Sequence, residues 1–170
     1  MLLRQGGSKM LVKLLPEQIS KFWDVIKYAI EQSVPPIAGE HPNKMNNILM
    51  AALEGSIDIW ASYRKDKNVN KFEAIVVTEI LYDVPTRTRN LLIYCVYGYS
   101  DIGEKSWIDG VRAIAKYAAS KRCNRMVAYT EVPYIVDLVS RLGADTRYTF
   151  ISFYVKDVLK KLDEFNGEQR

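Results

Sequence analysis

The stretch from Tyr97 to Trp107 combines glycines, hydroxyls and charged side chains where an apolar run gives way to a helical pattern. A strand that leads through a short loop into a helix leaves unpaired backbone N–H groups and the positive end of the helix dipole at the junction. Such a junction suits a phosphate ligand. The sequence therefore predicts an anion site around Gly103. The alternative is that Asp101 and Glu104, which have capping-box spacing, satisfy the same N–H groups.

The composition of the chain excludes several other kinds of site. The 170 residues include one histidine and two cysteines, too few for a conventional zinc site, so no metal is expected. Cys95 and Cys123 are predicted to be free thiols in a reducing compartment. Met1–Leu15 lacks the apolar centre of a signal peptide, and no apolar run reaches the roughly 18 residues of a membrane span. We therefore expect a cytoplasmic protein without membrane association.

Two helices are predicted at the start of the chain. After Pro16, apolar residues recur at helical spacing and form one stripe that ends before Val34. These stripe residues are Ile19, Phe22, Trp23, Ile26 and Ile30. The second helix has Asn43 as its N-cap and stops at Gly55.

After Gly55 the apolar period changes from about 3.6 to 2, which predicts strands. Three of them, Ile57–Tyr63, Phe72–Tyr82 and Asn90–Tyr99, are separated by polar turns, the first at Lys65–Asn70, and form an antiparallel meander.

The second half of the chain alternates helices and strands. A long helix, Glu104–Arg122, leads to a strand, Arg125–Thr130, and this crossover makes the two flanking strands parallel neighbours. A helix at Tyr134–Leu142 and a strand at Arg147–Val155 follow. The predicted class is α/β with a mixed, mainly antiparallel sheet in the order ααβββαβαβ, with an optional first strand at Met10–Leu14.

The predicted domain organisation is simple, because no linker or repeat divides the chain. We expect residues 1–9 to be a flexible segment, residues 10–156 to be a single domain and residues 157–170 to be a charged helical tail.

This order of elements resembles the GNAT acyltransferase superfamily over about Met10 to Val155. In that family, whose fold is an α/β/α sandwich, a strand, a loop and a long helix bind the pyrophosphate of acetyl-CoA. The neighbouring parallel strand splays away to admit the pantetheine arm. Val111–Met126 is similar to the family's long helix and following strand. Gly103–Trp107, Gly55–Trp60 and Arg141–Ala144 resemble divergent GNAT-like proteins of bacteriophages.

The phosphate-binding loop departs from the family's pattern, Arg/Gln-x-x-Gly-x-Gly/Ala. Ile102, Lys105 and Trp107 occupy those positions, so both glycines that let the backbone approach the pyrophosphate are missing. Lys105 and Ser106 are expected to donate hydrogen bonds in place of bare backbone. The residues that the resemblance implies for acetyl-CoA binding are Tyr97, Tyr99, Gly103, Glu104, Lys105, Ser106 and Trp107. Core packing is the alternative for Tyr97 and Tyr99, as it is for Tyr94.

The usual general acid of the family is also missing. That tyrosine precedes a Gly-Phe pair by four residues, and the equivalent positions here are Val139 and Ala144. Tyr129 and Glu131 are the better candidates, because ligands gather at the carboxyl ends of parallel strands. The alternatives are a sheet tyrosine and a solvated loop carboxylate.

The resemblance also implies a group that deprotonates the acceptor amine, since an ammonium ion is not a nucleophile. Glu79 in the second meander strand and His41 between the first two helices are the candidates. The alternatives are that Glu79 is exposed on a sheet edge and that His41 is an ordinary loop residue.

The function expected from the resemblance is that of a GNAT-like N-acyltransferase that moves an acetyl group from acetyl-CoA to an amine substrate by direct attack. The alternative is a non-catalytic GNAT-fold interaction or assembly protein of a phage particle, with phage or host proteins as partners, in the host cytoplasm or the virion. A homo-oligomer is compatible with both. The net charge of +4 keeps nucleic-acid binding as a third function, through Arg112, Lys116, Lys121 and Arg125.

Overall fold

The computed structural model describes residues 10–168, which divide into two compact units. The first unit runs to Tyr129 and contains the sheet, and the second begins at Thr130 and contains two helices. Residues 1–9, where the sequence predicts a flexible segment, lie outside the described residues, as do residues 169–170. In the described part of the chain, no helix is both long enough and apolar enough to span a membrane.

Five strands form one sheet in the order β1-β2-β3-β4-β5. They are β1 (Leu11–Lys13), β2 (Ile57–Asp66), β3 (Val69–Asp83), β4 (Thr88–Gly98) and β5 (Arg125–Ala128). Strands β1 to β4 are antiparallel neighbours, and β5 runs parallel to β4. The predicted α/β class, the meander, the parallel strand and the optional first strand are confirmed.

The hairpin between β2 and β3 is tighter than predicted. Only Lys67 and Asn68 form the turn, with positive φ values of 47° and 65°. Positive φ at both central residues is the geometry whose twist matches that of the flanking strands, so both strands extend closer to the turn. The predicted turn over Lys65–Asn70 was therefore too long.

Three helices cover one face of the sheet, where the sequence predicts two. They are α1 (Pro16–Lys21), α2 (Trp23–Glu31) and α3 (Lys44–Glu54). Phe22 separates α1 from α2 with a non-helical φ of −107° and ψ of 18°, and its ring packs edge-to-face on Phe72 of β3. The continuous helix after Pro16 was therefore wrong at Phe22. Asn43 and Gly55 bound α3 as predicted, with Gly55 in the left-handed region.

Helix α4 (Glu104–Ser120) covers the opposite face. The sheet therefore has two cores, one on the α1–α3 face and one on the α4 face. The first includes Ile26, Ile30, Ile59, Ile75, Val77 and Cys95. The second includes Trp60, Val76, Leu91, Ile114 and Ala118. Strand alternation explains the division, because neighbouring residues such as Ile59 and Trp60 point to opposite faces.

Polar contacts fasten α4 to the sheet. The Trp60 indole donates a hydrogen bond to the Thr78 hydroxyl at 3.0 Å, and both residues are buried. Tyr117 of α4 packs edge-to-face on Trp60, with ring centroids 4.9 Å apart. The Tyr117 hydroxyl donates a hydrogen bond to the Asp58 carboxylate, which also accepts one from Lys13 at 3.2 Å. These contacts connect the last turns of α4 to β1 and β2.

The second unit contains α5 (Pro133–Arg141) and α6 (Val155–Glu168). The predicted strand at Arg147–Val155 was wrong: residues 147–154 have no regular secondary structure, and Val155 already belongs to α6. Alternating side chains favour extended backbone, but a strand also needs a hydrogen-bonded neighbour. Among the described residues, only β1 to β5 form such pairs.

The Trp60–Thr78 contact gives a stability prediction. Replacing Thr78 by valine keeps the shape and strand preference of the side chain but leaves the buried indole N–H without an acceptor. We expect Thr78→Val to lower the free energy of unfolding by about 1–3 kcal/mol in urea denaturation. Adding Trp60→Phe to Thr78→Val removes the orphaned donor, so the two substitutions should be less than additive. Additive effects would contradict the importance of this hydrogen bond.

Candidate functional site

The sheet opens between β4 and β5 after a short stretch of pairing. The two strands pair only from Asn90 to Ile93 on β4, opposite Arg125 to Ala128 on β5. β4 continues to Gly98, and among the described residues no strand pairs with it beyond Ile93 on the β5 side. Residues 94–98 therefore form an open edge of β4, where backbone hydrogen-bonding groups have no partner strand.

An extra residue in β4 marks the start of this open edge. In the β3–β4 register, Val77 lies opposite Cys95 and Thr78 lies opposite Ile93, which leaves Tyr94 unmatched. Such a β-bulge bends its strand and increases the local twist. Tyr94 and Cys95 consequently both pack against the core on the α1–α3 face, although they are adjacent in sequence.

Beyond the open edge, the chain turns directly into α4. Gly103 is the N-cap, with φ −65° and ψ 154°, and no side chain caps it. The first intrahelical bond runs from the Trp107 N–H to the Gly103 carbonyl at 3.1 Å, so the amides of residues 104–106 have no acceptor within the helix. The predicted capping box of Asp101 and Glu104 was wrong, because Asp101 stands two residues before the N-cap.

A cavity of about 100 Å³ lies between the first turns of α4 and the sheet. Side chains of β1, β3, β4 and α4 line it, including Leu11, Val76, Ile93, Val96, Ile102, Ser106, Trp107 and Ile114. Trp107 and Ser106 are half-buried, whereas Lys105 and Glu104 are exposed. The bulk of Trp107 is therefore accommodated beside the cavity.

Glu79 and Tyr94 bring two polar groups to the α1–α3 face of the bulge. Glu79 alternates with Ile75 and Val77, which belong to the core on that face. Both side chains are half-buried, and among the described residues neither forms a hydrogen bond or ion pair. Glu79 does act on Tyr94 electrostatically. The alternative that Glu79 is exposed on a sheet edge was wrong, because β3 is the central strand.

Tyr97 and Tyr99 follow the bulge and join Tyr28 of α2 in an aromatic row. Ring centroids are 5.8 Å apart for Tyr28 and Tyr97, and 5.0 Å apart for Tyr97 and Tyr99. The Tyr99 hydroxyl donates to the Val25 carbonyl at 2.7 Å. Burial raises the pKa of Tyr99 to about 12, and the neighbouring Tyr28 hydroxyl raises the pKa of Tyr97. Both phenols therefore stay protonated at neutral pH and connect α2 to the end of β4.

The other predicted catalytic residues lie in separate places. Tyr129 directly follows β5 and is 39% exposed. Glu131 belongs to the second unit, where it is exposed in the segment before α5. His41 is exposed beside an open depression of about 560 Å³ between α2 and α3. The His41 Nδ1 accepts a hydrogen bond from the Asn43 N–H at 3.0 Å, so this ring nitrogen is engaged in shaping the loop.

Two cysteines and several basic side chains are further reactive groups of the described chain. Cys95 and Cys123 are free thiols, and burial raises the pKa of Cys95 to about 11, which keeps it protonated and poorly nucleophilic. Arg112 pairs with Asp109 at 2.8 Å, and Lys121 lies over the Tyr117 ring. In the described residues, no group of three or more His, Cys, Asp and Glu is arranged to hold a metal ion.

The positions of Tyr94 and Tyr28 in the site have no signal in the sequence. A bulge is visible in a sequence when it interrupts alternation between apolar and polar residues. β4 is almost continuously apolar from Leu91 to Tyr97, so it carries no such signal. Tyr28 lies outside the predicted apolar stripe, and only the packing of α2 brings it to Tyr97.

The sequence matches no protein-family model and no curated protein. The structure does match solved structures. A predicted acetyltransferase with acetyl-CoA from Clostridium acetobutylicum superposes with a TM-score of 0.62 at 10% identity, over 86% of this chain and 96% of that chain.

Two further structures are similar. Ribosomal-protein-alanine N-acetyltransferase from Brucella melitensis biovar Abortus 2308 matches with a TM-score of 0.59 at 10% identity, over 85% of this chain and 96% of that chain. Glucosamine-6-phosphate N-acetyltransferase from Arabidopsis thaliana matches with a TM-score of 0.58 at 14% identity, over 85% of this chain and 97% of that chain. At these identities the likeness concerns the fold, which is that of the GNAT acetyltransferases.

The loop before α4 gives a matched pair of variants. An added Cβ at Gly98 would lie 2.9 Å from the Ile102 side chain and 3.2 Å from the Ser100 carbonyl oxygen. We expect Gly98→Ala to displace Ile102 and to lower the free energy of unfolding by about 1–3 kcal/mol. An added Cβ at Gly103 would meet nothing within 4 Å, so Gly103→Ala should cost less. Equal unfolding free energies for the two variants would contradict this account of the loop.

Proposed function

We propose that the protein is a GNAT-fold N-acyltransferase that takes an acetyl group from acetyl-CoA and transfers it to a primary amine. The observation that carries the proposal is the open edge of β4, which begins at a bulge and leads directly to an uncapped helix N-terminus. A donor with amide groups along an extended arm and a pyrophosphate at one end matches this arrangement.

The open edge suits the extended arm of the donor. Backbone groups of residues 94–98 have no strand partner on the β5 side in the described chain, and the amides of a pantetheine arm would complete their hydrogen bonds. The amides of residues 104–106 and the helix dipole would hold the pyrophosphate. Gly103 leaves open space beside them, and Lys105 adds a positive charge. Ser106 and Trp107 would contact the donor from the first turn, and Tyr97 and Tyr99 from the end of β4.

The exposed Glu104 is the one predicted contact that opposes an anion. A carboxylate at the first helical position would repel the pyrophosphate, whereas Lys105 would attract it. Residues 104–106 would therefore bind a phosphate mainly through their backbone amides. Affinity for acetyl-CoA would depend on these amides and the helix dipole as much as on side-chain charge.

The α1–α3 face of the bulge suits the amine. Half-buried Glu79 has no ion pair or hydrogen bond among the described residues, so its carboxylate is available to take a proton from the acceptor ammonium. The free amine would attack the thioester carbonyl, and backbone N–H groups at the open edge would stabilise the oxyanion. Acceptors named for the similar structures include glucosamine-6-phosphate and ribosomal-protein alanine, and both present primary amines.

Tyr129 and Glu131 are further candidates for proton transfer. Tyr129 follows the carboxyl end of β5, where ligands gather in parallel sheets. Glu131 is an exposed carboxylate two residues later. Tyr129 would act on an acceptor that approached from β5, whereas Glu79 would act on an acceptor held on the α1–α3 face.

A second candidate function is a non-catalytic interaction or assembly role, as in a phage particle, with a phage or host protein as partner. The second unit favours it, because Tyr148, Ile151, Phe153 and Tyr154 are each at least 70% exposed. Large exposed apolar surfaces mark interaction sites. In that case the open edge of β4 would be inherited from the fold and unused, and the protein would not bind acetyl-CoA.

Calorimetric titration with acetyl-CoA separates the two functions. We expect the wild-type protein to bind, and Lys105→Glu to weaken binding about tenfold because the reversed charge faces the pyrophosphate. Lys116→Glu is the matched control, since it makes the same charge change about 16 Å further along α4. Absence of wild-type binding at millimolar acetyl-CoA would contradict the acyltransferase proposal and favour the second candidate.

The role of Glu79 is tested with two kinds of amine. For an alkyl amine such as glucosamine-6-phosphate, Glu79→Gln should lower kcat/KM for acetylation about 100-fold or more, because the ammonium keeps its proton. Hydroxylamine is already unprotonated at neutral pH, so its acetylation should change little. Glu54→Gln, at the exposed end of α3, is the control. Equal losses with both amines would contradict the general-base role.

A further inference from the structure

Acyl transfer from a thioester needs a proton donor as well as a base. When the tetrahedral intermediate collapses, the carbon–sulfur bond breaks and the sulfur leaves with the electron pair. A side chain that protonates this thiolate makes it a better leaving group. The α5 position where the family resemblance implies a tyrosine is Val139, which has no proton to donate.

The tyrosines in β4 and directly after it differ in the hydrogen bonds of their hydroxyls. The Tyr99 hydroxyl already donates to the Val25 carbonyl, and the Tyr97 hydroxyl lies beside that of Tyr28. Tyr94 is half-buried and, among the side chains that the structure describes, its hydroxyl has no hydrogen-bond partner. Its oxygen is not sealed from solvent, because the described residues contain no fully buried side-chain oxygen without a partner. The phenol is therefore both accessible and uncommitted.

The position of Tyr94 sets it apart as well. It is the bulged residue of β4 and the first residue beyond the last β4–β5 pair, Ile93 with Ala128. It packs on the α1–α3 face, where Glu79 lies one strand away. The proton acceptor and an uncommitted proton donor thus stand together at the start of the open edge.

We infer that Tyr94 is the catalytic proton donor of this protein, a role that rests on the proposed acyltransferase function. Glu79 first takes the proton of the ammonium and releases it to solvent. The free amine nitrogen then forms its bond to the carbonyl carbon, and its surplus proton passes to water. The carbon–sulfur bond then breaks, and the thiolate takes the Tyr94 hydroxyl proton. The tyrosinate recovers a proton from water, so of the two protons that the ammonium loses, one is balanced by the thiol and the other is released to solvent.

The surroundings of Tyr94 support this direction of transfer. Burial is the main cause that raises its pKa, and the nearby Cys95 and Glu79 raise it further. The phenol therefore stays protonated at neutral pH and enters the reaction as a donor. Because its hydroxyl has no partner in the described structure, Tyr94→Phe removes the proton without orphaning another group, and the variant should fold.

The test uses two acyl donors with one acceptor, hydroxylamine. With acetyl-CoA, Tyr94→Phe should lower kcat about 100-fold while the Kd for acetyl-CoA stays unchanged. With acetyl-seleno-coenzyme A, whose more acidic selenol leaves as an anion, the same variant should keep nearly wild-type kcat. Tyr82→Phe, on an exposed tyrosine at the far end of β3, is the control.

Each contrary result has a separate meaning. An equal loss with both donors would make Tyr94 a positioning residue, and no loss with either donor would make it dispensable, so both results overturn the inference. Wild-type protein that binds acetyl-CoA but does not accelerate its reaction with hydroxylamine also overturns it. Failure of the wild-type protein to bind acetyl-CoA refutes the proposed function itself. Urea denaturation of Tyr94→Phe shows whether the variant is folded.

Discussion

The bulge at Tyr94 is the local constraint on which the candidate site depends. At this point β4 has one residue more than the stretch of β3 that pairs with it. β4 therefore bends there to fit the extra residue. Pairing with β5 stops at the neighbouring residue, Ile93. The same bend places Tyr94 and Cys95 on one face and leaves residues 94–98 without a strand on the β5 side in the described chain. An opening in a sheet is otherwise costly, because its backbone groups lose their partners.

The two faces of the sheet hold the other parts of the site in place. On one face, Trp60, Tyr117 and Asp58 fasten the last turns of α4 to the sheet, while its uncapped first turn follows the open edge. On the other face, Tyr99 bonds to α2 and ties the end of β4 to the helical layer. A donor lying along the edge would therefore meet a helix N-terminus at one end and Glu79 near the other.

The sequence predicted most elements of the first unit, because their apolar periods are clear. Gly55 and the strands around it illustrate this, since both the helix stop and the change of period are visible in the residues. Phe22 interrupts the helix at the point where its ring contacts Phe72, which lies far away in sequence, and no local pattern shows this contact. The bulge at Tyr94 lies in a continuously apolar run, so it has no local signal either. Arg147–Val155 has strand-like alternation, but residues 147–154 form no strand. The sequence therefore indicated which segments favour helix or strand, but not which segments contact or pair with each other.

The most direct measurement is hydrogen–deuterium exchange of the peptide covering residues 94–98, with and without acetyl-CoA. The amides on the open edge exchange with solvent when no strand covers them, and a bound pantetheine arm would protect them. We expect slower exchange in residues 94–98 and in the first turn of α4 at saturating acetyl-CoA, with little change in the β2–β3 hairpin. Unchanged exchange along the open edge, despite measurable binding, would contradict this expectation.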